Sequence, residues 1–467
     1  MMTSQAKPSL AGPALVFGFG TAVAMWCAWW ITHHPSLSAD PRIAGPILLL
    51  LMLAGMVWAG RASSGRPGLA VGALAGLICS TLNLLVLGAL IAKPPEADGA
   101  PAPGFQGLAP SGAIAAAGFL GAGLLLGIVG GAIGGALRPR TSAQPAPTSS
   151  ESDPWLGRFA IVACVAVAPL LLLGGAVTST SSGLAVPGWP DTYGANMFLY
   201  PISLMSHPRI FLEHTHRLFG SLVGLTTLTL AVWAFASRTP RFVRAWAACA
   251  FVLVCVQGVL GGLRVSQTSV ALAFVHGVTA QLFLAVMVCI ASFLSPAYAH
   301  AAEATADPTD RRRKATSTAL QHATIVQLLL GAAQRHFGQA GGNMHALWAH
   351  AAFSLMVVGA AVTAGFALRM RAGPDVPLNL FLRRLGAAVL AVVALQFALG
   401  WGTFVVVLRA GARGPAPTAD TLAVAKPIDT LSAAFATLHQ ANGALLLVLA
   451  TVAVAITRRV WKSRPAA

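Results

Sequence analysis

The chain has 467 residues, of which 56% are hydrophobic and only 9% charged. A soluble domain carries about a quarter charged residues, so this composition excludes an ordinary water-soluble protein and points to a chain that mostly faces lipid. The net charge of +17 does not indicate a nucleic-acid binder, because the basic residues sit in short loops between apolar runs rather than on one face.

Apolar runs near or above the ~20 residues needed to cross a bilayer recur from end to end, and runs of that length in lipid indicate helices. The expected fold class is an all-α membrane protein of about 12 transmembrane helices. Four expected spans come first, at roughly 12–32, 44–61, 68–92 and 112–137. The first has no clear small-residue cleavage site after it and reads as a retained helix. A polar stretch from Arg138 to Asp153, rich in Pro, Ser and Ala, reads as a linker. Eight further spans are expected at roughly 158–178, 210–236, 242–262, 268–294, 316–335, 343–368, 381–408 and 432–457. The domain reading is 1–140 as a four-helix membrane region without an assigned role, 141–155 as the linker, and 156–300 and 315–460 as two four-helix bundles.

Basic loops alternate along the chain: Arg61 and Arg66, Arg138 and Arg140, Arg238 to Arg244, Arg311 to Lys314, Arg369 to Arg384, and Arg458 to Arg464. All fall on one side, which the positive-inside rule makes cytoplasmic, together with both termini. The six cysteines lie inside apolar runs with no CxxC spacing, which argues against disulfides and a zinc site.

The last eight spans repeat internally. LLLGGAV at Leu171–Val177 echoes LLLGAAQ at Leu328–Gln334, and QGVLGG at Gln257–Gly262 echoes QFALGWG at Gln396–Gly402. Their order and matching orientation indicate two pseudo-symmetric four-helix bundles, a duplicated unit. A repeat of four spans leaves both halves in one orientation, unlike the inverted repeats of many transporters.

The histidines follow the same symmetry. His216 and His350 fall on the second helix of each expected bundle, His276 and His439 on the fourth. At about 1.5 Å per residue all four lie roughly 9–12 Å below the outer helix ends. A polar side chain in a membrane helix usually faces the bundle interior. The plain alternative is four histidines each hydrogen-bonded to a neighbouring helix. Four at one depth, paired across a repeat, instead suit axial ligation of haem iron between facing helices. His33, His34, His207, His300, His322, His336 and His345 lie at span ends, in loops or at another depth.

Of thirteen acidic residues only Glu213 falls inside an expected span. Within EHTHR, Glu213, His216, Arg217 and Gly220 share one helix face at i, i+3, i+4 and i+7, while His214 points elsewhere. Two roles stay open for Glu213: an ion pair with Arg217, or a proton-handling carboxylate beside a haem ligand. Leu347 stands at the equivalent place before His350. The stretch TSTSSGLAVPGWPDTYG, Thr178–Gly194, reads either as an ordered loop over the bundle mouth or as a plain surface loop.

In residues 155–460 the chain resembles the haem A synthase family. The resemblance is carried by GGAVTSTSSGLAVPGWP, EHTHR, QGVLGGLRV with the following FVHG, LLLGAAQRH, LWAHAA and TLHQANG, in that order. It implies two four-helix bundles, two haem sites, and oxidation of the haem O ring methyl to a formyl group, giving haem A for terminal oxidases. It implies His216 and His276 as substrate-side ligands, Glu213 as the acid near the reacting methyl, and His350 and His439 as ligands of a protohaem (haem b) cofactor. The implied partners are haem O, haem A, membrane lipid, haem O synthase and terminal oxidase assembly proteins, with no nucleic acid and a homo-oligomer left open. The implied place is the inner cell membrane, crossed many times. The competing reading is a bis-histidine electron-transfer cytochrome that leaves haem chemistry unchanged. Many family members carry a cysteine pair in the outer loop where this chain reads AVPGWP, so redox steps assigned to that pair do not carry over. The match is weaker at GQAGGNMHALWAH, and the first four spans have no counterpart in the family pattern.

Overall fold

A computed structural model describes residues 9–37, 39–63, 67–92, 111–138, 153–237, 239–304, 308–338, 344–370, 376–410 and 416–462. Arg66, Arg140, Arg238, Arg371 and Arg464, most of the expected linker and residues 339–343 of the GQAGGNMHALWAH stretch lie outside them. The described residues are helical with no strand, and eleven of their helices are long and apolar enough to cross a membrane. The protein is an all-α membrane protein. The expected twelfth span also forms a helix: α10, Pro308–Phe337, covers it, but Gln321, His322, Gln327 and Gln334 break its apolar run.

The chain divides into two compact units. Unit 1 comprises residues 1–162 and 188–226, and unit 2 residues 163–187 and 227–467. The boundary cuts through α5, Pro154–Ser179, and α6, Pro208–Ala236.

In unit 1, α1 (Ala11–His33), α2 (Pro41–Arg61), α3 (Gly68–Ile91) and α4 (Gly112–Ala136) pack mainly through small residues. Gly72 and Gly76 of α3 meet Gly123, Gly127 and Gly131 of α4 so closely that a Cβ would overlap the facing backbone. Lipid offers no hydrophobic drive between helices, so close backbone approach through small residues is what holds such a pair. α1 also supports α6. The Trp26 and Phe219 rings stand edge to face with centroids 5.4 Å apart, and Trp29, Trp30 and His34 surround Phe211 at 5.6–6.4 Å. Each such aromatic pair adds about 0.5–1.5 kcal/mol beyond burial.

In unit 2, α10, α11 (Met344–Arg369), α12 (Val376–Ala410) and α13 (Thr430–Lys462) close into a ring, each packing on the next and α13 on α10. α8 (Val270–Phe293) packs against α7 (Arg241–Ser266), α10 and α13. The short α9, Pro296–Glu303, has no counterpart among the expected spans; it buries Ala301 in a core with Leu382, Ala453 and Ile456. Buried Arg313 pairs with Asp310 at 3.3 Å and donates to the carbonyls of Ala367 and Met370. Those carbonyls lie at the C-terminal end of α11, which the helix itself leaves without donors. On α7, Val252, Val256 and Val259 are exposed, as lipid-facing side chains should be.

Candidate functional site

α6 carries the acid. Glu213 is 2% exposed, and Arg217, one turn on, donates from Nε to its Oε1 at 3.2 Å. Both side chains are almost fully buried, so each charge depends on the other: breaking a buried pair by removing one partner costs about 3–5 kcal/mol. Of the two roles left open for Glu213, the ion pair is therefore present. Arg217 reaches further, donating from Nη1 to the carbonyls of Gly188 and Asp191 at 2.9 Å each. The 188–194 part of the loop is thus an ordered turn gripped by α6. Gly188 sits at φ +79°, and a Cβ there would strike the Asp191 carboxylate, which itself accepts from the Gly194 N–H at 2.8 Å. Only glycine meets both demands cheaply.

His214 points away from Glu213, as the helical spacing predicts. It is fully buried, with Nδ1 3.2 Å from Thr192 Oγ1 and its ring tilted against Tyr200 at 5.4 Å. Tyr200 stacks on Tyr193 at 5.8 Å. Burial, and then Tyr193, push the Tyr200 phenol up to about 12. One helix turn therefore grips the loop from two sides, through His214 and through Arg217.

The expected first histidine pair is divided between the units: His216 is on α6 in unit 1, and His276 on α8 in unit 2. The second pair lies wholly within unit 2 and meets. The His350 and His439 rings have centroids 6.2 Å apart with planes at 88°. That separation is one of ordinary edge-to-face ring packing, and it also leaves room for one metal ion held in line between two imidazoles at bonds of about 2.0–2.1 Å.

The glycines of the repeated motifs seat these rings. A Cβ added at Gly261 would stand 3.2 Å from His276 Cε1; at Gly331, 2.8 Å from His350 Cε1; at Gly400, 3.1 Å from His439 Cε1. QGVLGG and QFALGWG are alike in a second way. Gln257 donates to Thr279, three residues past His276. Gln396 accepts from Asn442, three residues past His439, at 2.8 Å, and its Nε2 lies 3.2 Å from His439 Nδ1. The repeat in sequence is a repeat of contacts: a glutamine brace, a glycine seat and a ring. In LLLGGAV, Gly175 instead lies against Gln440 and Thr437, on either side of His439.

His350 Nδ1 is buried without a hydrogen-bond partner, an unusual state for a polar atom. No group of three or more His, Cys, Asp or Glu side chains among the described residues can hold a metal ion. Two imidazoles fit a metal that brings its other ligands with it, which is what an iron porphyrin does. Several other histidines make local contacts: His322 with the Thr318 carbonyl at 2.8 Å, His33 with that of Trp29 at 2.9 Å, His207 with the Arg209 N–H at 3.2 Å.

The profile of one family, described as cytochrome oxidase assembly protein, matches residues 157–452. The chain belongs to the cytochrome oxidase assembly protein family. The matched span contains Glu213 and all four candidate ligands and excludes α1 to α4. Among similar curated proteins are ones named heme A synthase. That of Alkalihalophilus pseudofirmus is 30% identical over 135 residues, 28% of this chain and 43% of the relative. That of Exiguobacterium sp. is 27% identical over 175 residues, 36% and 54%. That of Lysinibacillus sphaericus is 31% identical over 137 residues, 28% and 43%. The chain thus spans about half the length of the curated relatives it matches. No solved structure matches it.

In this family member the glycine seats and the Gln396–Asn442 brace are roles that the sequence motifs contain without declaring. Their signal is the spacing within the motif: a glutamine stands four residues before a glycine on the helix that precedes His276 and again on the helix that precedes His439.

Proposed function

We propose that this protein is a haem A synthase, an oxidoreductase that converts the ring methyl of haem O to a formyl group. The observation that carries the reading is the His350–His439 pair, at a metal-bridging separation, inside the segment shared with the family. On this reading His350 and His439 hold protohaem, and His216 and His276 hold the substrate, haem O. The two bundles are 156–300 and 315–460, joined through the linker 141–155 to the region 1–140. The protein lies in the cell membrane with both termini cytoplasmic. It works beside haem O synthase and terminal oxidase assembly proteins.

Bound haem supplies the electron-transfer chemistry. The chain's own residues position the group and take up a proton. Oxidising a methyl to a formyl group releases protons, and Glu213 accepts one at the reacting end of α6. Arg217 holds the carboxylate in place, tied in turn to the Gly188 and Asp191 carbonyls. The Gln396 side chain stands beside His439 Nδ1 and steadies that ring.

The test is pigment analysis. Purified protein should contain haem, and cells carrying Glu213→Ala should keep bound haem yet accumulate haem O and lose haem A. Normal haem A in that strain would remove the catalytic role of the acid.

One observation favours a second reading, a bis-histidine electron-transfer cytochrome: Glu213 is already paired with Arg217. That reading expects bound haem and an unchanged haem O to haem A ratio when the gene is deleted.

A further inference from the structure

We infer that Arg264, Arg335 and His336 anchor the ionised carboxylate side chains of the bound tetrapyrroles. The inference rests on the reading that the seated imidazoles hold iron. Gly261 on α7 seats the His276 ring and Gly331 on α10 seats that of His350. Arg264 follows Gly261 by three residues, and Arg335 follows Gly331 by four. Both spacings return to the same helix face. Each guanidinium therefore stands on the ring-seating face, one turn of about 5.4 Å nearer the helix C-terminus. α12 carries Thr403 and Phe404 at the corresponding places after Gly400, so the charge gathers at α7 and α10 and not behind every ring.

His336 joins the two arginines. Its Nε2 lies 3.9 Å from where a Cβ on Gly277 would stand, next to His276. All three side chains are half-buried at helix ends. Arg264 donates to the Gly183 carbonyl at 3.0 Å and Arg335 to that of Thr178. They thereby tie the 178–183 part of the loop to the same place. Two acids of unit 2 are engaged elsewhere, Asp310 with Arg313 and Asp429 with Ser432 at the start of α13.

A tetrapyrrole held by its iron near the ends of these helices has one edge bearing two carboxylates, which must lie among charges or water. A guanidinium fork matches a carboxylate in shape, and its bond to an ionised acceptor is shorter and stronger than one to a carbonyl. A cation is also welcome at any helix C-terminus, and the loop bonds are a structural task in themselves. Neither of those roles distinguishes a porphyrin acid from its ester.

The experiment titrates the purified full chain, in detergent, with iron protoporphyrin IX and separately with its dimethyl ester, reading the Soret band and the low-spin iron signal. The unaltered protein should take up the free acid on the order of tenfold more tightly than the ester, as a charge-assisted bond predicts. Arg335→Gln and Arg264→Gln should each lower free-acid affinity on the order of tenfold while leaving ester affinity and the low-spin signal in place. Arg335→Lys should restore part of the preference. Equal uptake of acid and ester by the unaltered protein overturns the site, and so does equal weakening of both by the variants, which marks a loop-holding role only. A chain that gives no low-spin iron signal with either compound overturns the underlying haem reading instead.

Discussion

The helix end bearing Glu213 and the ring pair His350–His439 show two ways of burying polar groups in a membrane protein. On α6 an acid and a base are buried together, and the base is secured by two loop carbonyls. At the ring pair no acid stands among the described residues: Leu347 takes the place that Glu213 has in the α6 pattern, and the rings rest on glycines. The first arrangement offers a carboxylate that can hold or pass a proton, and the second offers two imidazoles that can ligate a metal. On the function proposed above, the difference suits a reacting site on α6 and a cofactor site between α11 and α13.

The largest effect should come from removing a grip. His350→Ala or His439→Ala should abolish the low-spin signal of one haem, cutting haem per chain by about half on pyridine haemochrome analysis, as expected when an axial ligand is lost. Unchanged haem content would dissolve the contrast between the two places.

Next comes the charged pair. Arg217→Leu leaves Glu213 buried without its cation and frees the loop. It should destabilise the protein by about 3–5 kcal/mol, read as an earlier thermal transition in detergent. Glu213→Gln keeps the shape but leaves Arg217 buried without its counter-charge, so it should also lower stability, and it should slow haem A formation by roughly 10²–10⁴-fold, the usual worth of a positioned proton acceptor.

The seats give a graded test. Gly331→Ala places a Cβ 2.8 Å from His350, and Gly400→Ala one 3.1 Å from His439. Both should weaken haem binding, Gly331→Ala the more. Gly118→Ala on α4, with nothing within 4 Å, should do nothing. Spectral titration of the three variants orders them.

The smallest effect is a pH dependence. The Tyr200 phenol is raised to about 12, mainly by burial. A raised value means its contribution to stability is complete below the unfolded tyrosine value of about 10 and is lost as pH climbs towards 12. Of the three tyrosines, one should ionise last in an ultraviolet titration, and Tyr200→Phe should remove that step.

Local pattern carries most of the helical architecture. Apolar runs mark the helices nearly to their ends, because only a helix satisfies its own backbone in lipid. α10 reads as a span like the others, yet its glutamines keep it below the composition of the other eleven. The i, i+4 spacing of Glu213 and Arg217 makes their ion pair one of two alternatives visible in the sequence. The grip of Arg217 on Gly188 and Asp191 is not visible there, since it joins residues more than twenty apart whose meeting depends on how the loop folds. Nor is the packing of α1 on α6, which brings an N-terminal helix outside the family pattern against the helix that bears the acid.

The sequence by itself determined that this is a helical membrane protein with duplicated motifs and histidines at matched positions, because hydropathy and helical periodicity are local properties. Only the tertiary structure decided that His350 faces His439, that glycines form their seats, and that Arg217 joins acid to loop. Those are contacts between distant segments, and their distances follow from helix packing, which no local pattern encodes.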